Sequence, residues 1–202
     1  MPAIAPGIRG QTHLDDLLDF SGTIASGGTA QLVLPQQPRR TSLFIANTSA
    51  SSTITIGIGP AMGTPTISGG GVTSIAVANA GIGYTVPPLV RILGGVIAGD
   101  LQTAPQHPAS AHVILAAGAI SSFVIDDPGA GYVSTILPYI YLENPLWSLG
   151  GGALLPSATV GIPLVAGANF STSGMIIVPT SAVAIFGPTT GNSFTVKVGG
   201  LV

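Results

Sequence analysis

The chain of 202 residues contains no cysteine and very little charge. Without cysteine, neither a disulfide framework nor a thiolate metal site is available. Only 6% of the residues are charged, whereas an average soluble domain has about 25%. Five basic residues are too few for the basic patch that nucleic-acid binding needs, so we expect no nucleic-acid partner.

Long hydrophobic runs are missing as well, although the mean hydropathy is +0.64. No stretch approaches the roughly 18 continuous apolar residues of a membrane span, because Gly, Pro, Ser or Thr interrupts each run. The first ten residues, MPAIAPGIRG, lack the charged start and long apolar core of a secretory signal. We therefore expect no membrane partner. An apolar chain with so few charges is expected to be covered by copies of itself or by another protein.

Glycine and proline are abundant, with 29 and 17 residues, and many of them mark a repeat. The segment NAGIGYTVPP at 79–88 returns as DPGAGYVSTILP at 127–138. The apolar segments before each copy align, and so do the Pro-led segments after them, PLVRI and PYIYL. Alternation bounded by Gly and Pro predicts a strand, a turn and a strand, so each copy is predicted to be one hairpin-like unit. The glycines are expected at positive φ, and the tyrosine ring is expected to lie over the turn.

The rest of the chain also reads as short strands. Residues 41–47 and 53–58 alternate and are rich in β-branched side chains, and NTSASS between them predicts a hairpin loop. Only 13–20, HLDDLLDF, has a helical pattern, and it is too short to be stable alone. Since no helical pattern occurs in 20–202, the sequence predicts an all-β fold.

The segments on either side of the repeats resemble a small β-sandwich family found among virion proteins of tailed bacteriophages. The resemblance covers about half of the chain. The order of turns and strands that carries it consists of Gly22, Thr23, residues 27–31, Arg39, Arg40, Leu43, Ile45, Asn47, Ile56, Gly59, Pro163, Leu164, Gly167, Ala182, Val183, Ile185, Gly187, Thr190, Gly191, Phe194, Thr195 and Lys197. The repeats, of the form VTSIxVxxxGxGYxxPP, are also similar to segments of phage structural proteins.

The resemblance implies an antiparallel, jelly-roll-like β-sandwich with an inserted two-repeat lobe. Residues 19–62 plus 149–202 would form the sandwich body, and 63–148 would form the insert. Residues 1–18 would be an arm that docks on a neighbouring subunit. An insertion of this length is tolerable because the entropy of loop closure grows slowly with loop length.

Few residues suggest chemistry, and each has a plainer explanation. Asp126 and Asp127 are adjacent on a strand and face opposite sides, so we interpret Asp127 as the start of a turn, with calcium as the alternative. His107 and His112 are predicted to be surface or loop residues, because Glu143 is the only glutamate and zinc needs three or four ligands. The glycine run SGGG at 68–71 precedes a strand and not a helix, which argues against a phosphate cradle. The sequence therefore predicts no catalytic, cofactor-binding or metal-binding residues.

Two further groups leave alternatives open. Arg39 and Arg40 are interpreted as a solvated strand edge, or else as an anchor to an acidic neighbour. Trp147, Tyr139 and Tyr141 are interpreted as core or inter-subunit packing, with a sugar-binding platform as the alternative.

The resemblance implies a non-enzymatic virion structural protein without cofactors. We expect a capsid decoration, cement or head-fibre protein that binds the major capsid protein or another virion protein and projects outward. It would be made in the host cytoplasm, would reside on the particle surface and would self-associate, with a trimer expected. The alternative is a tail-associated module that binds a receptor or host glycans.

Overall fold

The structure is a computed structural model that describes residues 17–95, 105, 107–144, 150–172 and 180–200. Within these residues the chain contains strands and turns, all strand pairings are antiparallel, and no helix is long and apolar enough to cross a membrane. The predicted all-β class is confirmed. The strands are β1 Leu18–Asp19, β2 Gly22–Thr23, β3 Ala30–Leu34, β4 Ser42–Asn47, β5 Ile54–Ile58, β6 Met62–Ser68, β7 Gly71–Asn79, β8 Leu89–Leu93, β9 Ser110–Ala116, β10 Ala119–Asp127, β11 Tyr139–Glu143, β12 Ile162–Leu164, β13 Asn169–Ser171, β14 Val183–Phe186 and β15 Ser193–Gly199.

Two sheets built from the two ends of the chain pack across one core. One sheet has the order β1-β15-β4-β13, with β2 also paired to β15, and the other has the order β12-β5-β14-β3. Alternation in β4 and β15 turns every second side chain inward, as the period of a strand requires. The buried core residues are Ile24, Leu34, Leu43, Ile45, Ile54, Ile56, Leu164, Val183, Ile185, Phe194, Val196 and Val198. This arrangement is a sandwich, whereas the jelly-roll connectivity stays a prediction.

The predicted hairpin between β4 and β5 is wrong. The two strands lie in different sheets, so NTSASS crosses from one sheet to the other. The reason is the buried side chain of Asn47, whose amide donates to the carbonyl oxygens of Ser52 at 2.7 Å and Leu164 at 2.8 Å. These bonds hold the chain in the conformation that crosses between the sheets, where the sequence predicts a hairpin loop.

The repeats form hairpins, but not across the Gly-x-Gly-Tyr turn. In the first copy β7 pairs with the preceding strand β6, and in the second copy β10 pairs with the preceding strand β9. The hairpin turns are the glycine run at 68–71 and the Ala117-Gly118 pair, where Ala117 has φ 50° and Gly118 has φ 78°. The repeat unit is therefore a hairpin, then the Gly-x-Gly-Tyr turn, then one further strand.

That further strand pairs with its equivalent in the other copy. β8 and β11 form a two-stranded ribbon in which Arg91 lies opposite Tyr141. These two residues occupy the same position in the aligned repeats, so exchanging the copies leaves the pairing unchanged. A local pseudo-two-fold axis therefore passes between Arg91 and Tyr141.

Matched hydrogen bonds between the copies follow the same symmetry. The N–H of Tyr84 donates to the carbonyl of Gly118 at 2.9 Å, and the N–H of Tyr132 donates to the carbonyl of Gly70 at 3.0 Å. Each hairpin turn thus docks on the Gly-x-Gly-Tyr turn of the other copy. Gly83 and Gly131 hold φ values of 85° and 91°, as expected, because other residues rarely adopt such angles.

The two repeat tyrosines lie over their turns. A Cβ at Gly81 would lie 2.5 Å from the ring of Tyr84. The Tyr84 hydroxyl accepts a hydrogen bond from the N–H of Ala61 at 2.8 Å, and the Tyr132 hydroxyl accepts one from Ala109 at 2.9 Å. Both tyrosines are buried, so each fastens the start of its own hairpin to the turn.

The two copies share one core. Eight side chains at matched positions of the two copies all belong to one apolar cluster, either buried or packed against it: Ile75, Val77, Val90, Ile92, Phe123, Ile125, Ile140 and Leu142. Their matched positions place them on equivalent faces of equivalent hairpins. Ala61 also belongs to this cluster, so its packing begins just before residue 63.

The segment 150–155 connects this cluster to the sandwich. Ala153 exchanges backbone hydrogen bonds with Ile82 at 2.8 and 2.9 Å. The side chain of Asn79 donates to the carbonyl of Leu155 and accepts from its N–H, both at 3.0 Å. The buried clusters of sandwich and insert are separate but bound along this segment. The proposed boundaries at 19–62 plus 149–202 and 63–148 stay a prediction.

The predicted N-terminal arm, 1–18, lies largely outside the described residues, which begin at 17. Leu18–Asp19 is a strand, so the helical pattern predicted for 13–20 is wrong at its end. Asp19 lies opposite Lys197 across β1 and β15, and their side chains form an ion pair of 2.5 Å. Hydrogen bonds from Lys197 and Ser21 lower the pKa of the Asp19 carboxyl. This sheet pairing explains why the chain is extended there.

Tyr84→Phe is expected to lower the free energy of unfolding at neutral pH by about 1–3 kcal/mol, because the buried N–H of Ala61 loses its acceptor. Burial also raises the pKa of Tyr84 above 10.0. A raised folded-state pKa contributes stability below pH 10 that is lost as the pH rises through it. The difference between the parent and Tyr84→Phe should therefore shrink above pH 10 in urea unfolding.

The comparison with Tyr84→Phe removes a competing effect. Burial lowers the pKa of Arg40 to about 10, which favours the folded state as the pH rises, but it acts equally on both proteins. A difference in stability that stays constant from neutral to strongly alkaline pH would contradict the prediction.

Candidate interaction surface

The outer face of the β8–β11 ribbon exposes large apolar side chains. Alternation turns Val90, Ile92, Ile140 and Leu142 towards the insert core. The intervening residues therefore point outward. Their exposed fractions are 52% for Leu89, 51% for Leu93, 63% for Tyr139 and 42% for Tyr141.

The two remaining outward residues of the ribbon carry opposite charges. Arg91 Nε lies 2.9 Å from Glu143 Oε2, and both side chains are exposed. In the ribbon register Leu89 is opposite Glu143, Arg91 is opposite Tyr141, and Leu93 is opposite Tyr139. We call these six residues the ribbon face. It is apolar at three corners and neutral in total charge.

The ribbon face has the properties of a contact surface. Single exposed apolar residues are common on soluble proteins, but contiguous apolar patches with a charged rim mark sites of protein or ligand contact. The two strands are fixed from beneath by the shared core, so the side chains project from a supported platform. A supported platform loses little conformational entropy on binding.

The exposed positions of Tyr139 and Tyr141 exclude one of the interpretations based on the sequence, packing in the protein's own core. Tyr139 and Tyr141 do not belong to the protein's own core, since both are exposed on the same side of β11. Inter-subunit packing and the sugar platform both remain compatible with this position. Trp147 lies outside the described residues.

The histidines pair with the two aspartates one by one. His112 Nδ1 lies 2.7 Å from Asp126 Oδ1, and His107 Nε2 lies 3.5 Å from Asp127 Oδ2. Asp127 also accepts a hydrogen bond from the N–H of Gly129 at 2.8 Å, which confirms its predicted role in the turn. Among the described residues no three His, Asp or Glu side chains meet in a group that could hold a metal ion.

The first repeat has no counterpart of these His–Asp contacts. The positions of His112 and Asp126 correspond to Thr64 and Ala78 in the aligned copy. The side chains of both pairs are exposed, and polar contacts exposed to water contribute little to stability. The His–Asp contacts make the second repeat chemically different from the first, but they do not form a metal site among the described residues.

The prediction of a solvated strand edge is wrong for Arg40, which is only 4% exposed. Its guanidinium donates to the carbonyl oxygens of Ser181 at 3.2 Å and Pro35 at 3.3 Å. The anchor to an acidic neighbour is equally excluded for Arg40, because its buried guanidinium is bound to carbonyl oxygens inside the sandwich and does not reach the surface. Arg39 is exposed, and its role stays open.

The ribbon face itself was not predicted from the sequence. Its signal is present in PYIYL, 138–142, and PLVRI, 88–92, where large apolar residues occupy both faces of a short strand. A strand with one buried and one solvated face normally alternates apolar and polar residues. The departure from that alternation indicates that the second, exposed face is also apolar and is suited to contact with another surface.

Comparisons with protein-family models, with curated proteins and with solved structures found no match to this chain.

Proposed function

We propose that the protein is a non-enzymatic structural protein of a tailed-phage virion, a capsid decoration, cement or head-fibre protein exposed on the particle. The ribbon face carries this proposal, because an apolar surface supported by a core is suited to contact with a second protein surface, that of another virion protein or of a second copy. The low charge and the resemblance to phage virion sandwiches support it. The major capsid protein, or another virion protein, is its proposed partner, along with copies of itself.

Residues that carry the resemblance hold the sandwich together in ways that explain their identity. The N–H of Gly27 donates to Thr190 Oγ1 at 2.9 Å, and a Cβ at Gly27 would lie only 2.7 Å from the backbone nitrogen of Thr190. This contact between two distant turns needs a glycine on one side and a hydroxyl on the other. The virion role comes from analogy with the family, since a fold alone does not determine function.

The proposed mechanism is attachment by burial of apolar surface at many copies. Covering four half-exposed side chains stabilises one contact by about 4 kcal/mol at roughly 1 kcal/mol each. That gain is comparable to the loss of translational and rotational freedom on association, about 4–15 kcal/mol. One contact is therefore weak, and many contacts on a symmetric particle are strong through their high effective concentration.

Two measurements test this function. Quantitative mass spectrometry of purified virions should find the protein in a number comparable to the major capsid protein. Purified protein should also co-sediment with shells that lack it. An abundance far below that of the capsid protein, or absence from virions, would contradict a decoration role.

A second candidate is a receptor- or glycan-binding module, favoured by Tyr139 and Tyr141, which are adjacent and exposed on one face. Aromatic rings present apolar faces on which the C–H faces of sugars can stack. Titration with host surface polysaccharide, followed by tyrosine fluorescence, distinguishes this candidate. Binding that Tyr139→Ser and Tyr141→Ser each abolish would favour it over decoration.

A further inference from the structure

The ribbon face is small compared with a stable interface. Five paired residues span roughly 17 Å along the strands, and the two strands cover about 10 Å across. A stable complex of two soluble proteins buries about 800 Å² on each partner, several times more than this face offers. The face is therefore suited to a contact between molecules that are already held close together.

Charge on the ribbon face is self-complementary. It carries one arginine and one glutamate, already paired within the chain at 2.9 Å. An acidic or a basic partner surface would meet an opposite and a like charge together. A second ribbon face presents the same neutral, largely apolar surface, so nothing charged is buried alone.

Two arrangements of a pair of such faces, with the two-fold axis across or along the strands, differ in what Arg91 meets. A two-fold axis running across the strands would place Arg91 over Arg91 of the second copy, where like charges repel. An axis parallel to the strands exchanges the two columns of the ribbon. Arg91 then lies over Tyr141 of the second copy, where a cation is attracted to the aromatic face. Leu93 meets Tyr139 of the second copy in the same arrangement.

We infer that the ribbon face is a two-fold contact between two copies of this chain, with Arg91 over Tyr141 and Leu93 against Tyr139 in both directions. Each residue of such an isologous contact meets its counterpart twice. The inference deepens the proposed function and rests on it in one respect, because a particle surface supplies the high local concentration that a small face needs. In solution, the contact is expected to be weak.

The absence of cysteine allows a direct test in the full-length protein. Leu93→Cys and Tyr139→Cys are made as separate variants, mixed at high concentration and oxidised mildly, and their products are weighed by intact mass spectrometry. Mixed disulfide dimers should exceed random pairing, since 93 faces 139 of the second copy. Within one chain neither variant has a second thiol, so no internal bond competes.

Ile114→Cys is the matched control, because Ile114 is 47% exposed and lies in β9, outside the ribbon face. It should remain largely reduced under the same conditions. Cross-linking of Ile114→Cys at the same rate, equal yields of homodimers and mixed dimers, or no cross-linking at all would each overturn the inference.

Sedimentation velocity supplies a measurement without cross-links. The weight-average mass of the parent should rise with concentration, Leu93→Glu should abolish that rise, and Leu93→Met should preserve it. A rise that Leu93→Glu leaves intact, including assembly to the expected trimer, would assign self-association to another surface. A dimer contact without binding to shells would support this inference and refute the decoration role. Binding to shells without a preference for mixed disulfides would support the decoration role and refute this inference.

Discussion

Gly57→Ala is expected to lower the free energy of unfolding by at least about 3 kcal/mol, the upper range for overpacking a core. Gly57 is buried in β5. A Cβ there would overlap the carbonyl oxygen of Leu154 and lie 2.8 Å from Cδ of Pro156. The backbone of Leu154 is held in place by a 2.7 Å hydrogen bond from its N–H to the carbonyl of Gly59. Because backbone and not a flexible side chain is in the way, relief requires moving the segment 150–155.

Gly22→Ala is the control for Gly57→Ala. Gly22 also lies in a strand, but a Cβ there would meet only the ring of Phe194, at the ordinary distance of 3.4 Å. Gly22→Ala should change the free energy of unfolding by no more than about 0.5 kcal/mol, as surface substitutions usually do. Chemical unfolding of both variants measures the difference. Equal costs would show that the segment 150–155 does not press on β5 as described.

Excision of the insert is expected to have the second large effect. Removing 61–149 and joining the ends by a short Gly-Ser linker should leave a folded sandwich, because the sandwich core contains only residues between 20 and 58 and between 164 and 198. Its stability should nevertheless fall, since Ala153 loses its two backbone bonds to Ile82 and Leu155 loses both bonds to Asn79. At about 0.5–1.5 kcal/mol for each net hydrogen bond, the loss is roughly 2–6 kcal/mol.

Circular dichroism and thermal unfolding measure the result of the excision. A cooperative transition at lower temperature is the expected outcome. A matched deletion that removes only the second repeat, 105–149, should destabilise what remains of the insert. The first repeat would keep its hairpin but lose both the ribbon partner of β8 and the bond from its Tyr84 N–H to Gly118. An excised protein that does not fold at all would mean that the sandwich and the insert share one core.

The same excision tests where the protein docks. The proposed function places the shell contact on the sandwich or on the insert, and the ribbon face is lost together with the insert. A folded sandwich that still binds shells would separate shell attachment from the ribbon face. A folded sandwich that no longer binds would place attachment on the insert.

Symmetry within the insert shows what an alignment of two repeats can reveal. The equivalence of Tyr84 with Tyr132 and of Gly83 with Gly131 was predicted from the sequence, and the structure gives them matching bonds and backbone angles. The pairing of β8 with β11 was not predicted. A repeated sequence states that two units are alike, but it does not state whether each unit closes on itself or on its neighbour.

The buried polar residues show a different limit. Arg40 follows Pro38 in a charged-looking segment and was interpreted as exposed, yet its guanidinium binds the carbonyls of Ser181 and Pro35 inside the sandwich. Residue 181 is far away in sequence, so the carbonyl that satisfies the arginine cannot be identified from local pattern. Long-range satisfaction of a buried donor is a property of the tertiary structure alone.

The sequence by itself determined the all-β class, the positions of β4 and β5, and the repeated turns with their positive-φ glycines. These features follow from alternation and backbone sterics, which act within a few residues. Only the tertiary structure decided which strands are neighbours, which face of PYIYL is covered, and that 150–155 joins sandwich to insert. Strand pairing depends on backbone hydrogen bonds that any residue except proline can donate. The pattern of side chains therefore predicts where a strand lies and which of its faces is apolar. The neighbouring strand with which it pairs is determined by the packing of the whole chain.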